Sequence, residues 1–223
     1  MASKKGRGLL MVFTDVPAEH EEEFNRWYDE EHIPERLSIP GVLNAARYVA
    51  LQGSPKYLAC YELNEPEAWH SDAWQYWLNN PTEWSKRMSP GVIGTNYIRN
   101  LYRLIFPNSV TAATAQADMA PVLLVGRMSV PLELEGQFNQ AYNTERLPMC
   151  YKVPGYIRGR RFQAVTGEPK YSTVHELEST RVSDSPEWNA WRTAVTPVWS
   201  EKVRPRMTHV QGSPGVYSRI FPP

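Results

Sequence analysis

The stretch Trp27-Tyr28-Asp29-Glu30-Glu31-His32-Ile33-Pro34-Glu35-Arg36 gathers an imidazole, several carboxylates and two aromatic rings into the end of one predicted helix. An imidazole titrates near neutrality, which general acid–base catalysis needs. At about 100° per residue, Phe24, Trp27, Tyr28 and Glu31 share a helix face, and His32 lies at its edge beside Tyr28. From that edge a side chain can reach out of a packed helix into a cleft. Asp29, Glu35 or Glu31 could fix the tautomer and raise the basicity. The chemistry expected of such a set is proton transfer on a small apolar or aromatic molecule: isomerisation, cyclisation or a lyase step. His32 is the expected general acid/base. Tyr28 and Tyr48 are expected to donate hydrogen bonds to a carbonyl or phenolate oxygen as charge develops there. Arg47 is expected to brace Glu31 or to hold a substrate carboxylate. Trp27 and Glu31 complete the expected substrate-binding set. The structural alternative for His32 is a cation placed at a helix C-terminus.

A weaker copy of this stretch returns as Ala141-Tyr142-Asn143-Thr144-Glu145-Arg146-Leu147-Pro148. A shift of 114 positions aligns Tyr28 with Tyr142, Glu31 with Glu145, Pro40-Gly41 with Pro154-Gly155, Arg47 with Arg161, and Pro55-Lys56-Tyr57 with Pro169-Lys170-Tyr171. Trp74 and Trp77 meet Trp188 and Trp191, and after a one-residue slip Trp84 meets Trp199. So many ordered matches mark a tandem repeat. Residues 1–107 form the first unit, 108–120 a linker rich in Ala, Thr and Ser, and 121–223 the second unit.

Each unit carries the same elements. In the first, Gly8 to Phe13 is a buried strand. Pro17 opens a helix that runs to about Leu37, where Pro40-Gly41 ends it. Val42 to Leu51 and Pro55 to Leu63 are strands joined by a turn at Gly53-Ser54-Pro55. Glu65 to about Arg87 is a second helix, broken near Pro81. Asn96 to Phe106 is the last strand. A βαββαβ order implies α+β class and a four-stranded antiparallel ferredoxin-like sheet with both helices on one face. The other face is bare and apolar and must be covered, which two copies can do for each other.

That arrangement resembles the dimeric α+β barrel superfamily, formed here within one chain. The W-Y-x-x-E-H-I-P-E-R motif, the following Pro-Gly and Arg47-Tyr48 resemble its EthD-like branch; the second copy departs at Arg146. The resemblance implies a wide range of roles, among them cofactor-free isomerases, cyclases and lyases, and haem-linked enzymes. Fold membership therefore narrows the architecture more than the reaction.

Residues kept in both copies are expected to be architectural. Trp74, Trp77 and Trp84 are read as core, and Glu31–Arg47 and Glu145–Arg161 as helix-to-strand ion pairs. His32 stands in one copy only and is freer to be chemical. Of the other histidines, His175 occupies the position of Tyr61 and is expected to point into the interior. No metal site is expected, because no two histidines have the i, i+4 helical spacing and two cysteines make neither a zinc site nor a disulfide framework. The working expectation is no cofactor, with haem as the alternative because one histidine suffices for it. A non-catalytic ligand-binding module is the further alternative.

Twenty-four basic residues balance twenty-four acidic ones. Such a chain has no general attraction for nucleic acid or an acidic membrane, and no stretch has the length of a membrane span or signal-peptide core. A cytoplasmic protein acting on a small molecule is expected, with a homodimer left open. No Gly-x-Ser-x-Gly elbow, phosphate-cradling loop or dinucleotide fingerprint occurs.

Overall fold

The computed structural model describes residues 2–194 and 196–222. The first repeat holds β1 (Gly8–Asp15), α1 (Glu21–Trp27), α2 (Ile33–Leu37), β2 (Val42–Gln52), β3 (Tyr57–Leu63), α3 (Asp72–Asn79), α4 (Glu83–Met88), α5 (Pro90–Ile93) and β4 (Thr95–Phe106). After the short α6 (Ala112–Ala115), the second holds β5 (Val122–Ser129), α7 (Glu135–Ala141), α8 (Leu147–Cys150), β6 (Tyr156–Thr166), β7 (Tyr171–Leu177), α9 (Thr180–Asp184), α10 (Pro186–Thr193), β8 (Thr208–His209) and β9 (Gly215–Phe221). The two βαββαβ repeats make one closed barrel.

Within the first repeat, β1 lies between β3 and β4, and β2 flanks β3. The repeats join at two antiparallel seams, β2 to β9 and β4 to β6. Pairing of β5 with both β7 and β9 closes the ring, and β8 adds only a short ribbon on β5. Closure removes the open sheet edges that would otherwise template aggregation.

Strand alternation sorts side chains into three cores. Leu9, Met11 and Phe13 of β1 point into the barrel, where they meet Tyr48, Cys60, Tyr102, Leu123, Phe162 and Tyr217 from both repeats. Leu10 and Val12 point outward, under the helices of their own repeat, onto Phe24, Trp27, Tyr61 and Trp74. Phe138, Tyr142, Trp188 and Trp199 build the corresponding layer of the second repeat. The bare sheet faces therefore cover each other. The segment between repeats is tied in, with Met119 and Ala120 buried in the barrel core.

The first helical stretch is not one uniform α-helix. Residues Tyr28–His32 form a π-helical turn between α1 and α2, and Tyr142–Arg146 repeat it between α7 and α8. Gly41 then ends the stretch with φ of 93°, a conformation open to glycine without strain. The second helical region breaks before Pro81 as expected, since α3 stops at Asn79. It continues as α4 and α5, each opened after an extended residue.

Candidate functional site

A cavity of about 220 Å³ lies between the helices of the first repeat and the outer face of its sheet. Leu10, Val12 and Tyr61 form its floor, and Tyr28, His32, Arg36, Trp69 and Trp74 form its wall. Exposed Leu78, Tyr97 and Arg99 line it as well.

The π turn decides how His32 enters. In a π-helix residues five apart come into register, unlike in an α-helix. His32 accordingly stacks on Trp27, ring centroids 4.5 Å apart and planes 28° from parallel. Tyr28 and Tyr61 meet the imidazole edge-on, at 5.1 Å and 6.3 Å. The half-buried imidazole lines the cavity, and its Nδ1 is buried with no hydrogen-bond partner.

Two more lining residues share that condition. Arg36 Nη1 and Trp74 Nε1 are buried without partners, while the Tyr61 hydroxyl faces the hydroxyl of Tyr28. A buried polar group left unpaired costs about 1–3 kcal/mol, so three around one hollow leave hydrogen-bonding capacity for a molecule held there, water included.

The electrostatics follow from burial. Desolvation, with Arg36 and Arg47 nearby, holds the His32 pKa well below the usual histidine range, so the ring is neutral at pH 7. This corrects the expectation of a basicity raised by carboxylates, because each of the three is engaged elsewhere. Asp29 pairs with Arg47 at 2.8 Å, and Glu35 with Arg36 at 3.0 Å. Glu31 accepts from Trp27 Nε1 at 3.0 Å, the Thr82 hydroxyl at 2.6 Å and the Ser85 hydroxyl at 3.2 Å. Burial also pushes the Tyr28 phenol up to about 12, so it stays a neutral donor.

Of the residues singled out in the sequence, His32 and Tyr28 line the cavity and Trp27 backs the imidazole. Arg47 and Glu31 stand behind them. The ion pair expected between those two does not form. Arg47 instead lies 4.5 Å from the Tyr28 ring centroid and bonds Asp29 and the Asn25 side chain, the latter at 2.6 Å. Arg161 takes Asn143 at 2.7 Å and Asn139 at 2.8 Å in the same way. The clamp reaches i−18 and i−22, two and six residues before Glu31, because Asp29 and Asn25 are the helix positions over the strand. Tyr48 is also corrected. It faces the barrel interior, where its hydroxyl donates to the Ala120 carbonyl at 3.0 Å, so it cannot reach a ligand beside His32. The barrel interior itself is filled, and the void beside Tyr48 measures about 10 Å³.

A second and larger cavity, about 540 Å³, occupies the matching place in the second repeat. Arg146 stands where His32 stands, and His175 where Tyr61 stands. His175 does not point into the barrel as expected: its neighbours Val174 and Glu176 do, and alternation turns it outward. Its Nδ1 lies 3.0 Å from the Tyr156 hydroxyl, and Trp188 and Trp191 meet its ring edge-on. Burial lowers its pKa to about 3. Sequence reasoning missed this second site. The signal was present in the match to Tyr61, which the alternation of β7 could have turned outward.

No family model matches the sequence, and no curated protein matches it. Solved structures do. An anthrone oxidase-like protein superposes with a TM-score of 0.58 at 13% identity, covering 98% of this chain and 93% of its own. The fold is that of the dimeric α+β barrels. Chlorite dismutase from Candidatus Nitrospira defluvii gives 0.59 at 9% identity, covering 99% and 93%. A heme-binding protein from Thermus thermophilus gives 0.57 at 10% identity, covering 97% and 92%. At these identities the likeness shows the dimeric α+β barrel fold alone. It also corrects the expectation of a cofactor-free protein: a heme-binding protein is built on this scaffold, so the scaffold gives no ground for excluding a cofactor. Among the described residues, no helix is long and apolar enough to cross a membrane.

Proposed function

We propose that the chain is a small-molecule enzyme of the EthD-like branch, whose first-repeat cavity carries out proton transfer on a compact apolar or aromatic substrate. The reaction is of isomerase, cyclase or lyase type. The reading rests on one observation: an unpartnered, neutral imidazole shares a hollow with two further unpartnered donors, on Arg36 and Trp74, and with the paired phenols of Tyr28 and Tyr61.

His32 begins as the base, since burial keeps it unprotonated. Taking a proton from a carbon or hydroxyl beside a substrate carbonyl leaves an anionic oxygen. The Arg36 guanidinium and the phenols of Tyr61 and Tyr28 are the donors for that oxygen. The imidazolium and the new anion stabilise each other in a site of low dielectric, which raises the proton affinity of a ring that is a weak base when the cavity is empty. Return of the proton to a different atom completes an isomerisation. Arg47 is a positioning residue that acts through Tyr28.

Proton exchange tests this with no single substrate assumed. A panel of aromatic ketones in deuterium oxide is followed by NMR for loss of α-protons. The wild-type protein is expected to accelerate exchange for at least one member, and His32→Gln to lose about a hundredfold of that acceleration. Equal exchange in both proteins rules out the imidazole as the base.

A haem-associated role is the second reading, and the two cavities fit that group differently. Ligand cavities span about 300–1,000 Å³, so the first, at about 220 Å³, is too small for a macrocycle. The second, at about 540 Å³, has the room, and His175, whose Nδ1 is held by Tyr156, could serve as axial ligand. A bound haem would supply redox chemistry there. Titration with haemin should then give a visible band that His175→Tyr alters. A haemin titration with no saturable spectral change counts against it.

A further inference from the structure

We propose that the second-repeat cavity is a separate binding site for an aromatic carboxylate. The inference is independent of the role given to His32.

Charge is the first argument. Arg146, Arg192 and Arg204 line this cavity, and none of its described lining residues is Asp or Glu. The chain as a whole is neutral, so this is a local excess. Among the described residues, Arg192 and Arg204 make no ion pair and stand exposed at the cavity. Arg146 is buried. One of its nitrogens donates to the Trp191 carbonyl at 3.1 Å and to the Ala194 carbonyl at 2.5 Å, while its Nε has no partner. Glu145, next in the chain, acts on Arg146 only at a distance and forms no ion pair with it. A buried guanidinium without an ion-pair partner is costly, and an anion bound beside it reduces that cost. A helix-end clamp would explain the two carbonyl contacts, but neither the unpaired Nε nor the two arginines outside.

Shape is the second argument. Tyr142, Trp188, Trp191 and Trp199 line the cavity, and apolar aromatic walls suit a flat ring. Arg146 is itself spread over Trp191 at 4.4 Å and Trp199 at 5.2 Å, so its position is set before any ligand arrives. Gly126 stands where the first repeat has Val12, which opens the floor. A Cβ added there would meet only the mobile end of Met128 at 2.7 Å and a distant carbonyl.

Calorimetric titration of the full chain with 1-naphthoate and with uncharged 1-naphthalenemethanol tests the proposal. The acid is expected to bind about tenfold or more tightly than the alcohol. Arg192→Gln and Arg204→Gln, both exposed, should weaken the acid severalfold and leave the alcohol unchanged. Gly126→Val should weaken both by filling the floor, and His32→Gln should change neither. Equal affinity for acid and alcohol would overturn the proposal, as would acid binding that ignores both arginine variants. Acid binding lost in His32→Gln would move the site to the first repeat. Binding of haemin with no binding of 1-naphthoate would replace the small acid by a porphyrin. His32→Gln separates the two readings, since it removes proton exchange in the first cavity and leaves the naphthoate isotherm intact.

Discussion

The two cavities occupy the same place on two copies of one fold, yet their chemistry is exchanged across the gap. In the first repeat the helix supplies His32 and the strand supplies Tyr61. In the second the helix supplies Arg146 and the strand supplies His175. The stacking partner of His32, Trp27, has become Ala141, and Trp199 comes to lie beside Arg146 instead. The first cavity is small and ringed by unpartnered donors. The second is more than twice as large and is lined by three arginines and by no acidic residue among those described. The two repeats share an architecture and differ in their cavities; proton transfer is proposed for one hollow and an anion for the other. His32 is half-buried and His175 fully buried, and both are neutral, but of the two only His175 has a hydrogen-bond partner, Tyr156.

The exchange can be broken by moving residues between repeats. The largest effect is expected for His32→Arg, which gives the first cavity the residue of the second. Proton-exchange activity should fall about a hundredfold or more, as measured by NMR in deuterium oxide. Survival of activity would mean that the two helix positions are interchangeable and that the first hollow does no acid–base work.

Arg146→His is the reverse move and should act on stability. The Trp191 and Ala194 carbonyls lose their donor, and two indoles lose their cation. A loss of about 2–3 kcal/mol is expected in urea unfolding, with no proton-exchange activity gained. An unchanged midpoint would show that the clamp at the helix end contributes little.

His32 and His175 also set a pH dependence. An unfolded histidine titrates near about 6.5, whereas His32 is held well below that and His175 at about 3. As pH falls through about 6.5 the unfolded chain takes up protons that the folded chain refuses. Stability is therefore full above that pH and is lost below it, by about 1.4 kcal/mol per pH unit for each histidine. His175→Tyr, which installs the first-repeat residue, should reduce that slope by about 1.4 kcal/mol per pH unit between about pH 6 and 5. An unaltered slope would show that His175 is readily protonated in the fold.

Asp29→Asn sharpens the comparison with the smallest effect. It converts the Arg47 clamp into the form that Arg161 already uses with Asn143. Because a hydrogen bond remains and Asp29 is partly exposed, the cost should be about 1 kcal/mol or less in urea unfolding. A much larger loss would make the charge of Asp29, rather than its geometry, the element that holds Tyr28 in place.

How much of this was legible in the sequence depends on the range of the interaction. The repeat, the strand order within it and the need for two bare sheet faces to cover each other were all readable, because alternation and turn chemistry are local. Tyr48 was misplaced for the same reason that Arg47 was nearly right. Adjacent strand residues face opposite sides, so when Arg47 reaches up to the helix, Tyr48 must enter the barrel. The pairing of Arg47 with Asp29 instead of Glu31 was not readable from an assumed α-helical period, since the π turn begins just before it.

By itself, the sequence determined the architecture and the asymmetry: duplicated βαββαβ units, a histidine in one copy and an arginine in the other. Composition and period are properties of neighbours along the chain, and they survive without coordinates. Only the tertiary structure decided which groups go unsatisfied. The hollows exist because helices and sheet meet imperfectly at two places. The neutrality of His32, the outward turn of His175 and the isolation of Arg146 all follow from which distant atoms fill, or fail to fill, the space around them. Desolvation and hydrogen-bond pairing depend on three-dimensional neighbours, and those belong to the packed chain.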